Sequence, residues 1–254
     1  GSVRSRRLDA RRRQPEESRG RRGGSPPRRP GAPPPKPCPA VLGRHGEVLR
    51  ARAGPQGRLE ALDRWYREAL PAAIEGREEK HVTREELGQL LAWKLARGRF
   101  RPRLHQLVSA NAPELVVQHS AAAFPLLPDM HAAVTELRAL RGVGPATASA
   151  VLAAGAPEVA AFMSEEAVAA VPGLPALQYT LKHYLLYLSR VQERATALSH
   201  GSASGLWTPH RVETALWTWA IGQKLCPDLL PDLGPSPAAP EDSRPAKKRR
   251  TQTD

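Results

Sequence analysis

Proline and positive charge are concentrated at the ends of this 254-residue chain, which confines a folded core to its middle. Residues 1–57 hold ten of the 26 prolines and a net charge of +11, and residues 228–254 hold five more prolines. Neither end carries a periodic apolar pattern, so both are predicted to be disordered. Residues 58–227 have a net charge of only +2 and are numerous enough to bury a core, so we expect one domain there. The overall charge of +13 therefore belongs mainly to the N-terminal tail and is no evidence that the domain binds nucleic acid.

Composition argues against several classes of protein. A membrane span requires about 18 apolar residues in a row, and no run in this chain is that long. The Arg-rich N-terminus lacks the apolar stretch of a secretory signal. Two cysteines, Cys38 and Cys226, are too few for a Cys-ligated zinc site or a four-cysteine iron–sulfur cluster, and they suit a reducing compartment. The histidines form no metal-binding pair at i, i+4. We therefore expect no metal, no other cofactor and no membrane association.

The middle of the chain has the pattern of successive amphipathic helices. Apolar residues recur at helical spacing over residues 59–70 and 176–198. Thr83 with Glu86 forms a capping box, and Asp129 and Thr208, the latter followed by proline, are typical N-caps. No segment alternates convincingly with period two. The sequence predicts an all-α domain.

A glycine-containing turn joins two of these helices within residues 130–154. The first helix ends near Leu140, and the next begins with N–H groups that have no helical partner and can bind a phosphate. Glycines allow a turn that side chains would obstruct, and the residue between them can fill the gap between the helices. A tight turn used only for packing or protein contact is the alternative. The predicted DNA contacts of this helix-hairpin-helix pattern are Gly142, Val143, Gly144, Ala146 and Thr147.

A basic patch precedes the hairpin in the sequence. Five cations occur within ten residues that contain no acid, at a predicted helix end and the loop after it, with Trp93 and Phe100 interleaved. In a domain of low net charge, such a local concentration favours phosphate binding, although charge runs are commonly solvated surface. The cations are Lys94, Arg97, Arg99, Arg101 and Arg103.

Three stretches carry a resemblance to known proteins, namely Trp93–Leu104, Leu140–Ala148 and Tyr179–Tyr184. The hairpin within helices is similar to the helix-hairpin-helix superfamily of DNA glycosylases, such as endonuclease III and the adenine glycosylases. Over residues 86–224 the chain more closely resembles the Amun family of nuclear proteins, which are described as having a DNA-glycosylase-like domain. The resemblance implies a nuclear, DNA-associated protein with no established reaction.

Departures from the glycosylases bear on catalysis. The glycosylases with lyase activity carry a lysine before the hairpin Thr-Ala, where this chain has Ala146, so the resemblance implies that this imine-forming lyase chemistry is absent here. The family's catalytic aspartate lies about 22 residues beyond the first hairpin glycine, a count that reaches Ser164, followed by Glu165 and Glu166. Glu165 is therefore the candidate catalytic carboxylate of a monofunctional glycosylase without lyase activity. Alternatively, Ser164 is an N-cap and the two acids complement the helix dipole. A pocket between Glu165 and the hairpin would bear most directly on this choice.

Two further features remain open at the level of sequence. Tyr179, Tyr184 and Tyr187 are either base-stacking residues or core residues. The basic cluster near the C-terminus predicts a nuclear import signal and hence a nuclear location; it comprises Lys247, Lys248, Arg249 and Arg250.

Taken together, these features predict a helix-hairpin-helix, DNA-glycosylase-like all-α domain between disordered tails. The expected function is nuclear DNA binding through the phosphate backbone, without catalysis. The alternatives are a monofunctional DNA glycosylase that uses Glu165, and a module that binds nuclear protein partners.

Overall fold

The computed structural model describes residues 39–201 and 205–231, and every regular element within them is helical. This confirms the predicted all-α character. A π-helical segment, Trp65–Ala69, joins α3 and α4 into one continuous stretch. The α-helices are α1 Pro39–Gly43, α2 His45–Ala53, α3 Arg58–Arg64, α4 Leu70–Glu75, α5 Arg84–Arg97, α6 Pro102–Ser109, α7 Pro113–Ala123, α8 Met130–Leu137, α9 Pro145–Gly155, α10 Glu165–Ala170, α11 Leu181–His200 and α12 Pro209–Leu225.

Side-chain caps define several helix starts, as the sequence predicts. At α5 the backbone N–H of Glu86 donates to Thr83 Oγ1 over 3.1 Å, and the N–H of Thr83 donates to the Glu86 carboxylate over 2.9 Å. These two bonds complete the predicted capping box. Asp129 caps α8 and Thr208 caps α12, each by accepting a backbone N–H of the first turn. Local chemistry therefore positions the ends of the helices before any long-range contact is considered.

The helix α9 is the centre of the domain. All of its residues are buried, and α4, α5, α8 and α11 pack around it. Its small side chains, mostly alanine, allow these neighbours to approach closely. Tyr66 donates its hydroxyl to the carbonyl of Ala150 in α9 over 2.7 Å, and its ring stacks on Trp93 of α5 with centroids 3.6 Å apart. The central helix is thus held rigidly against α5.

The folded part of the chain begins earlier than predicted. The prediction that residues 1–57 are disordered is wrong for residues 39–57, which form α1, α2 and a 3₁₀ turn packed against α12 and α3. The inward face of α2 carries His45, whose ring hydrogen bonds to Thr218 of α12, so apolar periodicity alone did not reveal this helix. The apolar side chains that α1 and α2 bury are Val41, Val48 and Leu49.

The folded part of the chain also extends further towards the C-terminus than predicted. Disorder was predicted from residue 228, yet Pro227–Leu229 forms a 3₁₀ turn and Leu230 packs against α12. A Cβ at Gly222 would lie 2.7 Å from a Leu230 methyl carbon, so the glycine makes room for this contact. The remaining parts of the predicted tails, and the basic cluster Lys247–Arg250, lie outside the described residues.

Asp63 is a buried carboxylate that links α2, α3 and α5. Its Oδ2 accepts from His45 Nε2 over 3.1 Å and from Arg67 Nε over 3.2 Å, and its Oδ1 accepts from Trp93 Nε1 over 3.0 Å. Burial alone would raise the pKa of Asp63. The hydrogen bond and charge of His45, the charge of Arg97 and the Trp93 bond outweigh burial and lower this pKa to about 2.

Replacing Asp63 with asparagine should lower the free energy of unfolding by about 2–3 kcal/mol at neutral pH, because the buried donors His45 and Trp93 lose a charged hydrogen-bond acceptor. The pKa of Asp63 is lower in the folded protein than its ordinary 3.8, so its stabilisation is complete above that value and is lost as the pH falls towards 2. Urea unfolding at several pH values should show that the difference in unfolding free energy between wild type and Asp63→Asn decreases as the pH falls from 3.8 to about 2.

The exposed carboxylate of Asp228 provides the control. Asp228→Asn should change the unfolding free energy by less than about 0.5 kcal/mol. If the difference in unfolding free energy between wild type and Asp63→Asn stays constant from neutral pH into the acid range, the charge of Asp63 does not stabilise the fold.

Candidate nucleic-acid interface

The turn between α8 and α9 forms as predicted, but only one of its glycines is sterically required. Gly142 has φ +74°, and a Cβ there would lie 2.9 Å from Leu107 Cβ and 3.0 Å from Val108 Cγ2 of α6. Gly144 has φ −98°, and a Cβ there would meet nothing within 4 Å. Gly142 therefore allows the turn to approach α6, whereas Gly144 keeps open the space in front of α9.

Asn111 fixes this turn and was missed at the level of sequence. Its side-chain oxygen accepts from the backbone N–H of Arg141 over 2.8 Å, and its amide nitrogen donates to the Arg141 carbonyl over 3.0 Å. A further bond of 2.9 Å reaches the carbonyl of Val108. Asn111 stands just before Ala-Pro, a pattern typical of a helix start. The helix α7 does begin at Pro113, but Asn111 instead holds the hairpin.

Val143 is not available as a DNA contact. Its side chain is buried, and its backbone N–H donates to the carbonyl of Leu140 over 3.2 Å. Its burial agrees with the prediction that it fills the gap between the two helices, and argues against its side chain as a DNA contact. The bond to Leu140 leaves Val143 without a free backbone donor for a ligand.

The N-terminus of α9 is left without a side-chain cap. Gly144 occupies the N-cap position and has no side chain, and Pro145 at the first helical position has no N–H. The N–H groups of Ala146 and Thr147 follow at the positive end of the helix dipole. Both residues are almost fully buried, so what α9 offers to an anion in the cavity that they line is these N–H groups.

A cavity of about 200 Å³, which we term the cleft, opens in front of this helix end. Its walls are the N-terminus of α9, the end of α5 with the following loop, and the start of α10 with the loop before α11. A pocket between Glu165 and the hairpin is therefore present. Arg103 is exposed but does not line it. The predicted site residues that line the cleft are Lys94, Arg97, Arg99, Arg101, Gly142, Gly144, Ala146, Thr147 and Glu165.

Arg97 lines the cleft but is held in a buried ion pair, which gives it a structural role and argues against the predicted phosphate contact. It is 2% exposed, and its two terminal nitrogens donate to the two carboxylate oxygens of Glu213 over 2.6 and 3.1 Å. The Trp217 ring lies 4.6 Å from the guanidinium carbon. Burial alone would lower the pKa of Arg97, but Glu213 raises it above its ordinary value. Glu213 is 116 residues away, so the local pattern of basic residues could not reveal the pair.

The two exposed arginines of the cleft each face a partner on the opposite wall. Arg99 Nη2 lies 2.6 Å from Glu165 Oε1, and the Arg101 guanidinium stacks over Tyr179 with 5.0 Å to the ring centroid. The Arg99 side chain is 74% exposed, and an ion pair in such a position contributes only about 0–1 kcal/mol. These contacts are therefore weak enough to be exchanged for a ligand.

Glu165 occupies the first position of α10 and also lines the cleft. Ser164 caps this helix by accepting the N–H of Ala167 over 3.2 Å, as the structural alternative predicts. The Ser164 hydroxyl donates to Glu213 Oε1 over 2.8 Å, which ties the start of α10 to the Arg97 pair. Glu165 thus lines the cavity, where its side chain contacts Arg99.

The three candidate tyrosines separate into two roles. Tyr184 and Tyr187 are fully buried and donate their hydroxyls to the carbonyls of Ala161 and Phe162, so both are core residues. Tyr179 is 44% exposed and lines the cleft. It lies outside the helix predicted from residue 176, because α11 begins only at Leu181, after the cap formed by Thr180.

Comparison with protein families, with curated proteins and with solved structures finds no match to this chain. Within residues 39–201 and 205–231, no three or more His, Cys, Asp or Glu side chains are placed to hold a metal ion. No helix in the same part of the chain combines the length and apolar character of a membrane span.

Arg97 and Arg99 should respond very differently to substitution. Arg97→Ala leaves the Glu213 carboxylate buried without its counter-ion and should lower the free energy of unfolding by about 3–5 kcal/mol. Arg99→Ala removes an exposed pair and should change it by less than about 1 kcal/mol. Urea denaturation followed by circular dichroism measures both. Equal effects of the two substitutions would contradict the structural role of Arg97.

Proposed function

We propose that the protein binds DNA through a helix-hairpin-helix unit on a DNA-glycosylase-like scaffold, without catalysis. The cleft carries this proposal, because it brings the uncapped N-terminus of α9 together with arginines from the loop after α5. Backbone N–H groups at a helix start and guanidinium groups both bind phosphate oxygens. Contacts of this kind position DNA without reading its base sequence.

The weakness of the existing arginine contacts supports phosphate binding. Arg99 is paired with Glu165 and Arg101 with Tyr179, and both arginines are exposed. A phosphate offers Arg99 a bidentate partner in place of a partly exposed carboxylate. Arg103 is exposed but lies outside the cavity, so the cleft itself gives it no part in this proposal. The proposed ligand is therefore the DNA backbone.

A monofunctional DNA glycosylase is the second candidate. Glu165 lines a cavity that also contains Tyr179, whose partly exposed ring is suited to stack on an extruded base. In that mechanism the Glu165 carboxylate would stabilise an oxocarbenium-like sugar or activate water. We favour binding alone because the defined contacts of Glu165 are those of a helix-start acid and of a partner for Arg99.

A nuclear location follows from the basic cluster Lys247–Arg250 as part of the same proposal. Nuclear protein partners are the remaining alternative, in which the hairpin serves only for packing. Salt-dependent binding of DNA separates this alternative from the other two, because a protein-interaction module has no need of phosphate contacts in the cleft.

Removing both exposed cleft arginines should weaken the salt dependence of binding to duplex DNA. Each lost phosphate contact reduces the log–log slope of affinity against salt by about 0.9. Arg99→Ala/Arg101→Ala should therefore flatten this slope by about 2 and lower the affinity at about 50 mM salt. Fluorescence anisotropy over a salt series, with the full chain in each case, measures the slope.

The matched control removes two exposed arginines that do not line the cleft. Arg50→Ala/Arg64→Ala changes the net charge by the same amount on α2 and α3. This control should leave the slope within about 0.5 of wild type, since the same N-terminal tail is present in every variant. An unchanged slope in the cleft variant, or equal changes in both variants, would favour the protein-interaction module.

Glu165→Gln distinguishes DNA binding from base excision. If the cleft only binds DNA, removing this charge frees Arg99 and should raise affinity by up to about fivefold, the equivalent of one surface ion pair. If Glu165 is catalytic, wild type releases bases from damaged duplexes and Glu165→Gln does not. We expect no base release by either. Glu193→Gln, which alters an exposed pair with Arg190 on α11, is the control and should leave the affinity unchanged.

A further inference from the structure

A second cavity, of about 820 Å³, opens at the C-terminal end of α9. The 11 residues of this helix separate it from the cleft by about 16 Å. A Cβ at Gly155, the last residue of α9, would lie 2.6 Å from Phe124 Cζ, so the glycine allows this ring to form part of the cavity floor. The floor is apolar, and other side chains that contribute to it are Ala122, Pro125, Leu127, Pro128 and Val159.

The rim of this second cavity is acidic. Glu78 and Glu79, in the loop before α5, and Glu158, which follows α9, are exposed and line it. In the part of the chain that the structure describes, none of these three carboxylates makes an ion pair. We term the apolar floor and its three rim carboxylates the acidic groove.

Lys80 lines the acidic groove but does not neutralise its rim. Its ammonium lies 2.7 Å from Glu75 Oε2 and donates to the carbonyl of Gly155 over 3.0 Å. Lys80 thus stabilises the negative end of the α9 dipole and is paired with a carboxylate that does not line the groove. With that pair cancelled, the three rim carboxylates leave a formal charge of −3. A groove of this kind fits a segment that combines several cations with apolar residues.

We propose that the acidic groove binds the basic cluster of the same chain, Lys247–Arg250. This cluster is the longest uninterrupted run of cations in the sequence, and Pro245 and Ala246 just before it supply apolar groups for the floor. Docking places four cations opposite three unpaired carboxylates, whereas the same carboxylates repel DNA. Under the proposed nuclear location these cations are also the import signal, so the docked cluster withholds that signal.

The chain is long enough for this contact. The described part ends at Pro231, just after Leu230 packs against α12 near the end of that helix. The start of α12 lies beside the groove, because the N–H of His210 donates to the carbonyl of Pro157 over 3.4 Å. The 17 residues of α12 span about 25 Å. Lys247 is 16 residues beyond Pro231, and an extended chain of that length reaches up to about 53 Å. A tether within reach raises the effective concentration of the cluster at the groove.

The first test is zero-length cross-linking of the full chain with a carbodiimide, which joins a lysine amine to a carboxylate that it contacts. Digestion and mass spectrometry should identify Lys247 or Lys248 joined to the rim carboxylates of Glu78, Glu79 or Glu158. The yield should fall at least about fivefold between about 50 mM and about 500 mM salt, because salt screens exposed ion pairs. Lys247→Arg/Lys248→Arg keeps both charges but cannot form the amide, so it should remove these products.

A peptide of residues 243–254 measures the contact independently of cross-linking chemistry. The full chain with Lys247–Arg250 all replaced by glutamine leaves the groove accessible to the labelled peptide, and fluorescence anisotropy gives the affinity. Adding Glu78→Gln/Glu79→Gln/Glu158→Gln to this chain should weaken binding about tenfold, because three exposed ion pairs are lost.

The matched control removes three exposed carboxylates that do not line the groove. Glu68→Gln/Glu114→Gln/Glu193→Gln changes the net charge by the same amount and should leave the affinity for the peptide within about twofold. Equal losses in the two triple variants overturn the proposal, as do cross-links of Lys247 and Lys248 spread evenly over exposed carboxylates. In a mixture of isotope-labelled and unlabelled chains, products within one chain support it. Products that join a labelled to an unlabelled chain indicate docking on a second copy and overturn it.

Discussion

The buried ion pair between Arg97 and Glu213 is the interaction on which the cleft depends. It joins α5 to α12, and the hydroxyl of Ser164 adds the start of α10 to the same carboxylate. Removing two charges from water is costly, so such a pair persists only where the geometry satisfies both partners. Here the Trp217 and Trp93 rings enclose the guanidinium. The end of α5, the start of α10 and the first part of α12 are thereby held together. Lys94 and Arg99, which flank Arg97 in the sequence, line the cavity beside the ion pair.

The opposite wall is equally rigid, for a different reason. The helix α9 is buried along its whole length and its small residues allow four helices to pack on it, so its N-terminus cannot shift independently of the core. The turn before it is held by the two bonds between Asn111 and Arg141 and by the close approach of Gly142 to α6. A site built on packed helices positions its donors more accurately than one built on loops. The N-terminus of α9, which we propose binds phosphate, is therefore pre-organised.

The sequence predicted those parts of the structure that depend on local chemistry. Thr83, Asp129 and Ser164 each accept a backbone N–H within their own first turn, so the corresponding helix starts could be identified from a few residues. Arg97 and Arg99 could not be told apart in this way, because their roles depend on Glu213 and Glu165, which are 116 and 66 residues distant. The helix α2 was not predicted because the polar residue His45 is buried in it together with Val48 and Leu49, which interrupts the apolar pattern. The chemical character of Lys94 depends on burial, which no local pattern contains.

The surroundings give the cations of the cleft three different capacities. Arg97 is neutralised by Glu213, the exposed Arg99 and Arg101 can exchange partners, and Lys94 can lose its charge near pH 8. With the first pair cancelled, and with the formal charges of the other lining residues counted, the cleft carries a net charge of +1 when Lys94 is protonated and zero when it is neutral. A bound phosphate stabilises the protonated amine. The charge of the cleft, and with it the proposed affinity for phosphate, should therefore decrease as the pH rises through the pKa of Lys94 at about 8.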